Sequence, residues 1–246
     1  MAYVAVTALS HDGLVREHNE DSLAVGPWIL CGTVTETPQT FVFPLGRPLV
    51  VAVADGLGGQ PAGEVASALV VRRLSWLGPS LDGEEAVRDA VELCNRAVYE
   101  AAGDDPALST MGTTVAGVVV LGDALLSFNV GDSKVYDATG DALRQVSVDD
   151  SPPPAPGHRT TSVVTQTLGG SPDLTAVTPH VSSAPLAVGH RRLVCSDGLT
   201  DPVPDDEIAA LLRVHDDGRA AFELWKAAID AGGPDNITLA LVRVGE

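Results

Sequence analysis

The sequence has no run of about 18 or more apolar residues, so nothing in it reads as a membrane span. Its opening, Met1 to Val6, lacks the basic region and long apolar segment of a secretory leader and is expected to be the first strand of a domain. Cysteine is scarce. Cys31, Cys94 and Cys195 are three, an odd number without CxxC spacing, each in an apolar setting. That favours buried thiols in a reducing cytoplasm over disulfides. Lysine is scarcer still, with only Lys134 and Lys226. Lys and Arg total 15 against 33 Asp and Glu, a formal charge of −18 that repels nucleic acid and anionic membrane surfaces.

Several catalytic motifs are also missing. The six histidines (His11, His18, His158, His180, His190 and His215) form no HExxH and join no cysteine motif, which disfavours zinc. No GxSxG elbow supports a Ser-His-Asp triad. Gly56-Leu57-Gly58-Gly59 runs into Gln60-Pro61 rather than a Walker lysine.

What is present is enough apolar residue, 45% of 246, to bury one substantial core, and one domain over 1–246 is expected. Strands are expected at Tyr3–Leu9, Leu49–Ala54, Thr113–Leu121, Ala124–Val130, Lys134–Ala138, Arg192–Ser196 and Ile237–Val244. Runs such as Val50-Val51-Ala52-Val53-Ala54 are apolar without alternation, which suits strands covered on both faces. The links Gly122-Asp123 and Gly131-Asp132-Ser133 suggest successive hairpins. From Glu84 to Ala101, Val87, Ala90, Val91, Cys94, Ala97, Val98 and Ala101 recur at helical spacing, with Glu85, Arg88, Asp89, Glu92 and Arg96 opposite. Ala62–Leu77, Asp205–Val214 and Arg219–Ala231 read as further helices. Strands, a helix pair, many strands, a helix pair and a last strand make an α+β chain. The order does not fit parallel βαβ alternation; a two-sheet sandwich covered by helices does fit. Gly26–Pro48 reads as a long hairpin or loop insertion, and Ser151–Gly157 as a proline-dense loop.

Apolar runs lead to an aspartate beside glycine at Asp55-Gly56, Gly131-Asp132 and Asp197-Gly198, and the final strand begins after Gly233-Pro234-Asp235-Asn236. Arg16-Glu17-His18-Asn19-Glu20-Asp21 follows the first strand. Singly, each Asp-Gly is a favoured turn pair. Jointly, strand ends of one core can converge, and gathered carboxylates repel one another unless a cation intervenes. With lysine so scarce, hard divalent cations such as Mg²⁺ or Mn²⁺ are the natural counter-charge.

Seven segments in order then carry a resemblance: GLVREHNEDS (13–22), VADGLGGQPAGEVAS (53–67), MGTT (111–114), NVGDSKVY (129–136), TQTLGG (165–170), LVCSDGLTD (193–201) and GGPDNIT (232–238). The chain resembles the metal-dependent protein phosphatase family (type 2C) of bacterial type, from Thr7 to about Val244. The resemblance implies a four-layer αββα sandwich, two face-to-face antiparallel sheets flanked by helix pairs, with a metal cluster at one edge. It implies that Asp55 bridges two Mn²⁺ or Mg²⁺ ions, with the Gly56 carbonyl on one and Asp197 and Asp235 on the other. Asp21 and Glu20 would act on the cluster mainly through bound waters. Asp132, with Asp197, matches a third, looser metal position, and Arg16 matches the arginine that holds the substrate phosphate. Arg16, Asp55, Asp197 and Asp235 are thus the implied catalytic set, acting by water activated at two ions without a covalent intermediate.

Rival readings stand beside these. Arg16 could be an ion-pair partner of Glu20, Glu64 a plain helix-start acid, and Thr113 and Thr114 hydrogen-bonding strand residues. Asn236 and Thr238 are expected to fix the turn carrying Asp235. The chain also departs from the family. Leu57 stands where many eukaryotic relatives carry histidine, Asp149-Asp150-Ser151 replaces Asp-His-Ser, and the flap segment is cut to a proline-rich loop ending near Arg159. The 26–48 insertion is either a partial replacement for that flap or a structural hairpin. The implied function is a monomeric cytoplasmic serine/threonine phosphatase acting on phosphoproteins of a cognate kinase, without nucleic-acid or membrane partners. A dedicated partner-switch phosphatase and a phosphoprotein-binding pseudophosphatase are the alternatives, the second opposed by intact Asp55, Asp197 and Asp235.

Overall fold

A computed structural model describes residues 2–57, 62–103, 105–155, 157 and 160–246. Gly58 to Pro61 of the glycine-rich signature, and Pro156, His158 and Arg159 at the end of the shortened segment, lie outside the described residues.

The chain begins with β1 (Tyr3–His11), β2 (Ser22–Val25), β3 (Trp28–Cys31), β4 (Gln39–Pro44) and β5 (Leu49–Ala54). Helices α1 (Gly63–Leu77) and α2 (Glu84–Ala102) follow. Next come β6 (Gly112–Thr113), β7 (Val115–Val120), β8 (Ala124–Val130), β9 (Lys134–Asp137), β10 (Arg144–Gln145), β11 (Leu168–Gly169), β12 (His180–Pro185) and β13 (Arg191–Cys195). The chain closes through α3 (Asp197–Thr200), α4 (Asp205–Val214), α5 (Asp217–Asp230) and β14 (Ile237–Gly245).

Two six-stranded antiparallel sheets result, one ordered β10-β9-β13-β14-β1-β4 and the other β12-β8-β7-β5-β2-β3. Three apolar layers account for this stacking. Val4, Val6, Val51, Val53, Val118, Val194, Ala240 and Val242 fill the space between the sheets. On the outer face of one sheet, Val50, Ala52, Ala54, Val115 and Val119 pack against Val70, Leu74, Val87, Val91 and Val98 of α1 and α2. On the outer face of the other, Leu193, Leu239 and Leu241 meet Leu199, Ile208, Leu212 and Leu224 of α3 to α5. Alternate residues of β5 thus enter two different cores, which is why its six residues can all be apolar.

Two expectations about connections differ from the structure. β7 and β8 form the hairpin expected at Gly122-Asp123. Gly131-Asp132-Ser133, however, carries the chain from β8 in one sheet to β9 in the other. The residues there have turn chemistry, but turn chemistry says only that the chain changes direction. The 26–48 segment likewise is not a hairpin folded on itself. β3 pairs with β2 at the edge of one sheet, and β4 pairs with β1 at the edge of the other. Trp28 and Phe41 meet across the gap, ring centroids 5.9 Å apart.

Candidate metal centre

Five of the aspartates singled out in sequence come together at one end of the sandwich. Asp55 leaves β5, Asp197 leaves β13 and opens α3, Asp132 lies in the crossover after β8, Asp235 precedes β14, and Asp21 precedes β2. Burial drives the Asp55 carboxyl well above its ordinary range, and the charges of Asp21, Asp197, Asp235 and Asp132 push it further. Burial raises Asp21 to about 6 against the hydrogen bond from Ser196, and raises Asp132 to about 6 against the charge of Lys134. Asp197 is pushed up to about 8, by burial and then by Asp132 and Asp201.

Local sequence explains how so much charge is held in place. Thr113 Oγ1 donates to the Asp55 carbonyl at 2.7 Å, and the Asp55 amide donates to Thr114 Oγ1 at 3.3 Å. The MGTT threonines are therefore backbone clamps. A side chain at Gly56 would sit 2.6 Å from the Gly63 carbonyl oxygen and 2.8 Å from that of Glu20, so only glycine lets the start of α1 close over the site. Ser196 Oγ donates to Asp21 Oδ2 at 2.8 Å and accepts from the Thr238 amide at 3.1 Å. Asn236 accepts the Glu20 amide at 2.8 Å and donates to the carbonyls of Asp12 and His18, which fastens the N-terminal loop to the Asp235 turn.

Arg16 reaches the mouth of the site and donates to Asp235 Oδ2 at 2.6 Å. That hydrogen bond, with the charges of Asp235, Glu20 and Asp55, holds its guanidinium firmly protonated against some burial. Its principal partner is Asp235, and Glu20 contributes only at longer range. Glu20 is half-buried and its carboxyl is raised by burial against the hydrogen bond from His18. His18, Glu20 and Glu64 bring three ligand atoms within 4.8 Å of one another, and they are the set that does so among the described residues. The sequence alone marks Glu64 only as a helix-start acid and gives His18 no role. A histidine two residues before an acid in REHNED is the signal that could have found the pair.

The deep aspartates are spread more widely, around Asp55 as their middle member. Asp21 Oδ1 and Asp197 Oδ1 are buried without a hydrogen-bond partner. Buried carboxylate oxygens are normally satisfied, and here the donors are all oxygens with almost no cationic side chain among them. This donor chemistry fits hard divalent ions such as Mn²⁺ and Mg²⁺.

Comparisons with known proteins agree with the geometry. The sequence profile described as Protein phosphatase 2C matches residues 40–229. The serine/threonine protein phosphatase PstP of Mycobacterium tuberculosis is 32% identical over 96% of this chain. The chain spans only 44% of the length of that relative. The serine/threonine phosphatase stp of Listeria monocytogenes is 31% identical, over 94% of this chain and 92% of its own. The solved catalytic domain of the serine/threonine protein phosphatase PstP in complex with two manganese ions superposes with a TM-score of 0.79. That match is 30% identical and covers 100% of both chains.

Proposed function

The chain belongs to the protein phosphatase 2C family, and from that premise we propose that it is a metal-dependent phosphatase hydrolysing phosphoserine and phosphothreonine monoesters on proteins. The observation that carries this reading is the burial of Asp21, Asp55, Asp132 and Asp197 at one set of strand ends, with Asp235 and Arg16 at the mouth.

In this reading Asp55, the Gly56 carbonyl, Asp197 and Asp235 would hold two ions. Asp21 and Glu20 would act through waters, and Asp132 with Asp197 would hold a third ion. When bound, the ions supply positive charge to the phosphoryl oxygens and lower the pKa of the attacking water. The protein's own groups do the rest. The carboxylates orient the water and are themselves held by Thr113, Thr114, Ser196 and Asn236. Arg16 lies partly exposed beside Asp235, within reach of a phosphate entering from solvent. Its planar donors suit phosphoryl oxygens whose charge grows in the transition state.

In this reading the protein acts as a monomer. Free Cys31, Cys94 and Cys195 support a reducing cytoplasmic setting. No helix among the described residues is long and apolar enough to cross a membrane. A cognate kinase that makes the phosphoprotein substrates completes the reading. β1 pairing with β14 along its whole length supports reading residues 1–246 as one folded unit.

Hydrolysis of p-nitrophenyl phosphate and of phosphothreonine peptides should require Mn²⁺ or Mg²⁺ and vanish with EDTA. Asp55→Asn should lose several orders of magnitude in rate while remaining folded. Undiminished turnover in EDTA would remove the assignment.

A further inference from the structure

Asp150 stands where the family carries histidine, and in this chain a histidine from another strand comes to it. His180, the first residue of β12, places its Nε2 2.9 Å from Asp150 Oδ1. The Gln166 amide group and the Gly131 backbone amide both donate to Asp150 Oδ2 at 2.9 Å. An ionised carboxylate only accepts, so donors from three separate segments converge on one mostly buried side chain. The main chain of Asp150 is engaged as well. Its amide donates to the Gly131 carbonyl at 3.0 Å. Its carbonyl accepts the Thr165 amide at 2.7 Å, so the chain that leaves Asp150 through the proline-rich segment returns to it.

These bonds bear directly on Asp132, the next residue after Gly131 in the crossover between the sheets. The carbonyl of the peptide bond joining the two accepts from the Asp150 amide and, at 3.2 Å, from Asn129 Nδ2. Gly131 also lies tight against Thr114: with φ at 98°, a side chain there would come within 2.7 Å of Thr114 Cβ. We infer that Asp150 positions Asp132 for cation binding, acting through the Gly131–Asp132 peptide, and that it ties β12 and the shortened flap to the metal centre. The inference rests on the phosphatase reading above and concerns the ion which that reading gives to Asp132 and Asp197. Both carboxylate oxygens of Asp150 are engaged by protein donors, so it acts through Asp132 and not as a ligand. Groups that orient a ligand in this way change metal affinity about 10–100-fold when altered.

The test is a double-mutant cycle read by Mn²⁺ titration calorimetry on the full chain, with thermal melts to show that each variant is folded. Asp132→Asn identifies the binding step that belongs to Asp132. Asp150→Asn keeps the shape of the side chain but turns an amide nitrogen towards a donor. It should weaken that same step about tenfold or more and the other steps far less. Adding Asp150→Asn to Asp132→Asn should weaken it no further, because two changes acting through one ligand are not additive. Should Asp150→Asn fail to fold, His180→Ala, which frees one carboxylate oxygen only, carries the same cycle with a smaller shift. Unchanged Mn²⁺ binding in the folded Asp150 or His180 variant, equal weakening of every step, a full further loss in the double variant, or no step sensitive to Asp132→Asn would each overturn the positioning role. The phosphatase reading would survive all four. A wild-type protein that neither binds Mn²⁺ nor hydrolyses p-nitrophenyl phosphate would overturn both.

Discussion

Ser196 Oγ donates a 2.8 Å hydrogen bond to Asp21 Oδ2 across 175 residues of chain, joining the end of β13 to the loop before β2 inside the carboxylate cluster. The same oxygen accepts the Thr238 amide. Ser196 is fully buried. Removing it leaves a buried amide and a buried carboxylate oxygen without their partner. Ser196→Ala should therefore cost about 1–3 kcal/mol of stability, the usual penalty for an orphaned buried polar group. Urea unfolding of the metal-free protein measures it. A loss below the error of the fit would mean that Asp21 is held by other contacts.

Glycine after the second aspartate is a steric requirement. A side chain at Gly198 would overlap the Asn236 carbonyl oxygen and approach Asp235 Cβ at 3.4 Å. Gly198→Ala must push the β14 entry turn away from α3, and with it Asp235. We expect a loss of about 2 kcal/mol or more, in the range of overpacked or strained buried sites, together with weaker Mn²⁺ binding by calorimetry. Wild-type metal affinity in a folded Gly198→Ala protein would show that Asp235 does not contribute to the cation site.

These two positions show what is legible in sequence and what is not. β5, β7 and β14 can be read because strands buried on both faces are apolar throughout. β12, β3 and β4 cannot, because an edge strand such as His180–Pro185 is half exposed and carries no pattern. β6 and β11 are two residues each, too short for any period. Asp55 and Asp197 stand out because each ends an apolar run beside a glycine, and Asp235 because it sits in a Gly-Pro turn just before one. Ser196 and Asn19 do not, because their work is done by contacts between separate segments. The crossover at Gly131 reads as a hairpin for a related reason, since the sheet a strand joins is a tertiary property.

The metal-free protein should lose stability as pH rises from about 5 to 8. Asp21 and Asp132 are raised to about 6 and Asp197 to about 8 by burial, whereas unfolded aspartates titrate near about 4. Across that interval the folded chain binds more protons than the unfolded one, so the stability slope with pH is negative. Asp137 and Asp217 run the other way. Burial opposes it, but hydrogen bonds from Thr139 and from Arg243 and Arg191 depress them, so their contribution is present above about 4 and lost in stronger acid. Thermal melts in EDTA should peak near pH 5, and saturating Mn²⁺ should flatten the decline towards pH 8.

The same repulsion predicts opposite effects of one substitution on stability and on activity. Asp197 is buried among Asp132, Asp201 and Asp235. Asp197→Asn keeps its shape and removes its charge. In EDTA at pH 8 the variant should melt at least about 2 °C above wild type, the shift that roughly 1 kcal/mol produces in a chain of this size. With Mn²⁺ the order should reverse, since wild type gains binding energy that the variant cannot. An Asp197→Asn variant less stable than wild type in EDTA would mean that Asp197 is paired in the folded state and not repelled.

Arg16 separates substrate binding from scaffolding. Its bond to Asp235 is short at 2.6 Å, but the two side chains are 38% and 32% exposed. A pair so open to solvent contributes less than about 1 kcal/mol to stability. Arg16→Ala should therefore leave the melting temperature nearly unchanged, while KM for phosphopeptides rises about tenfold or more through loss of a charged hydrogen bond to phosphate. Arg16→Lys should recover only part of that, because an ammonium cannot reproduce two parallel donors. An unchanged KM with a lowered melting temperature would make Arg16 a strut for the Asp235 turn. An unchanged KM with an unchanged melting temperature would make it a surface residue.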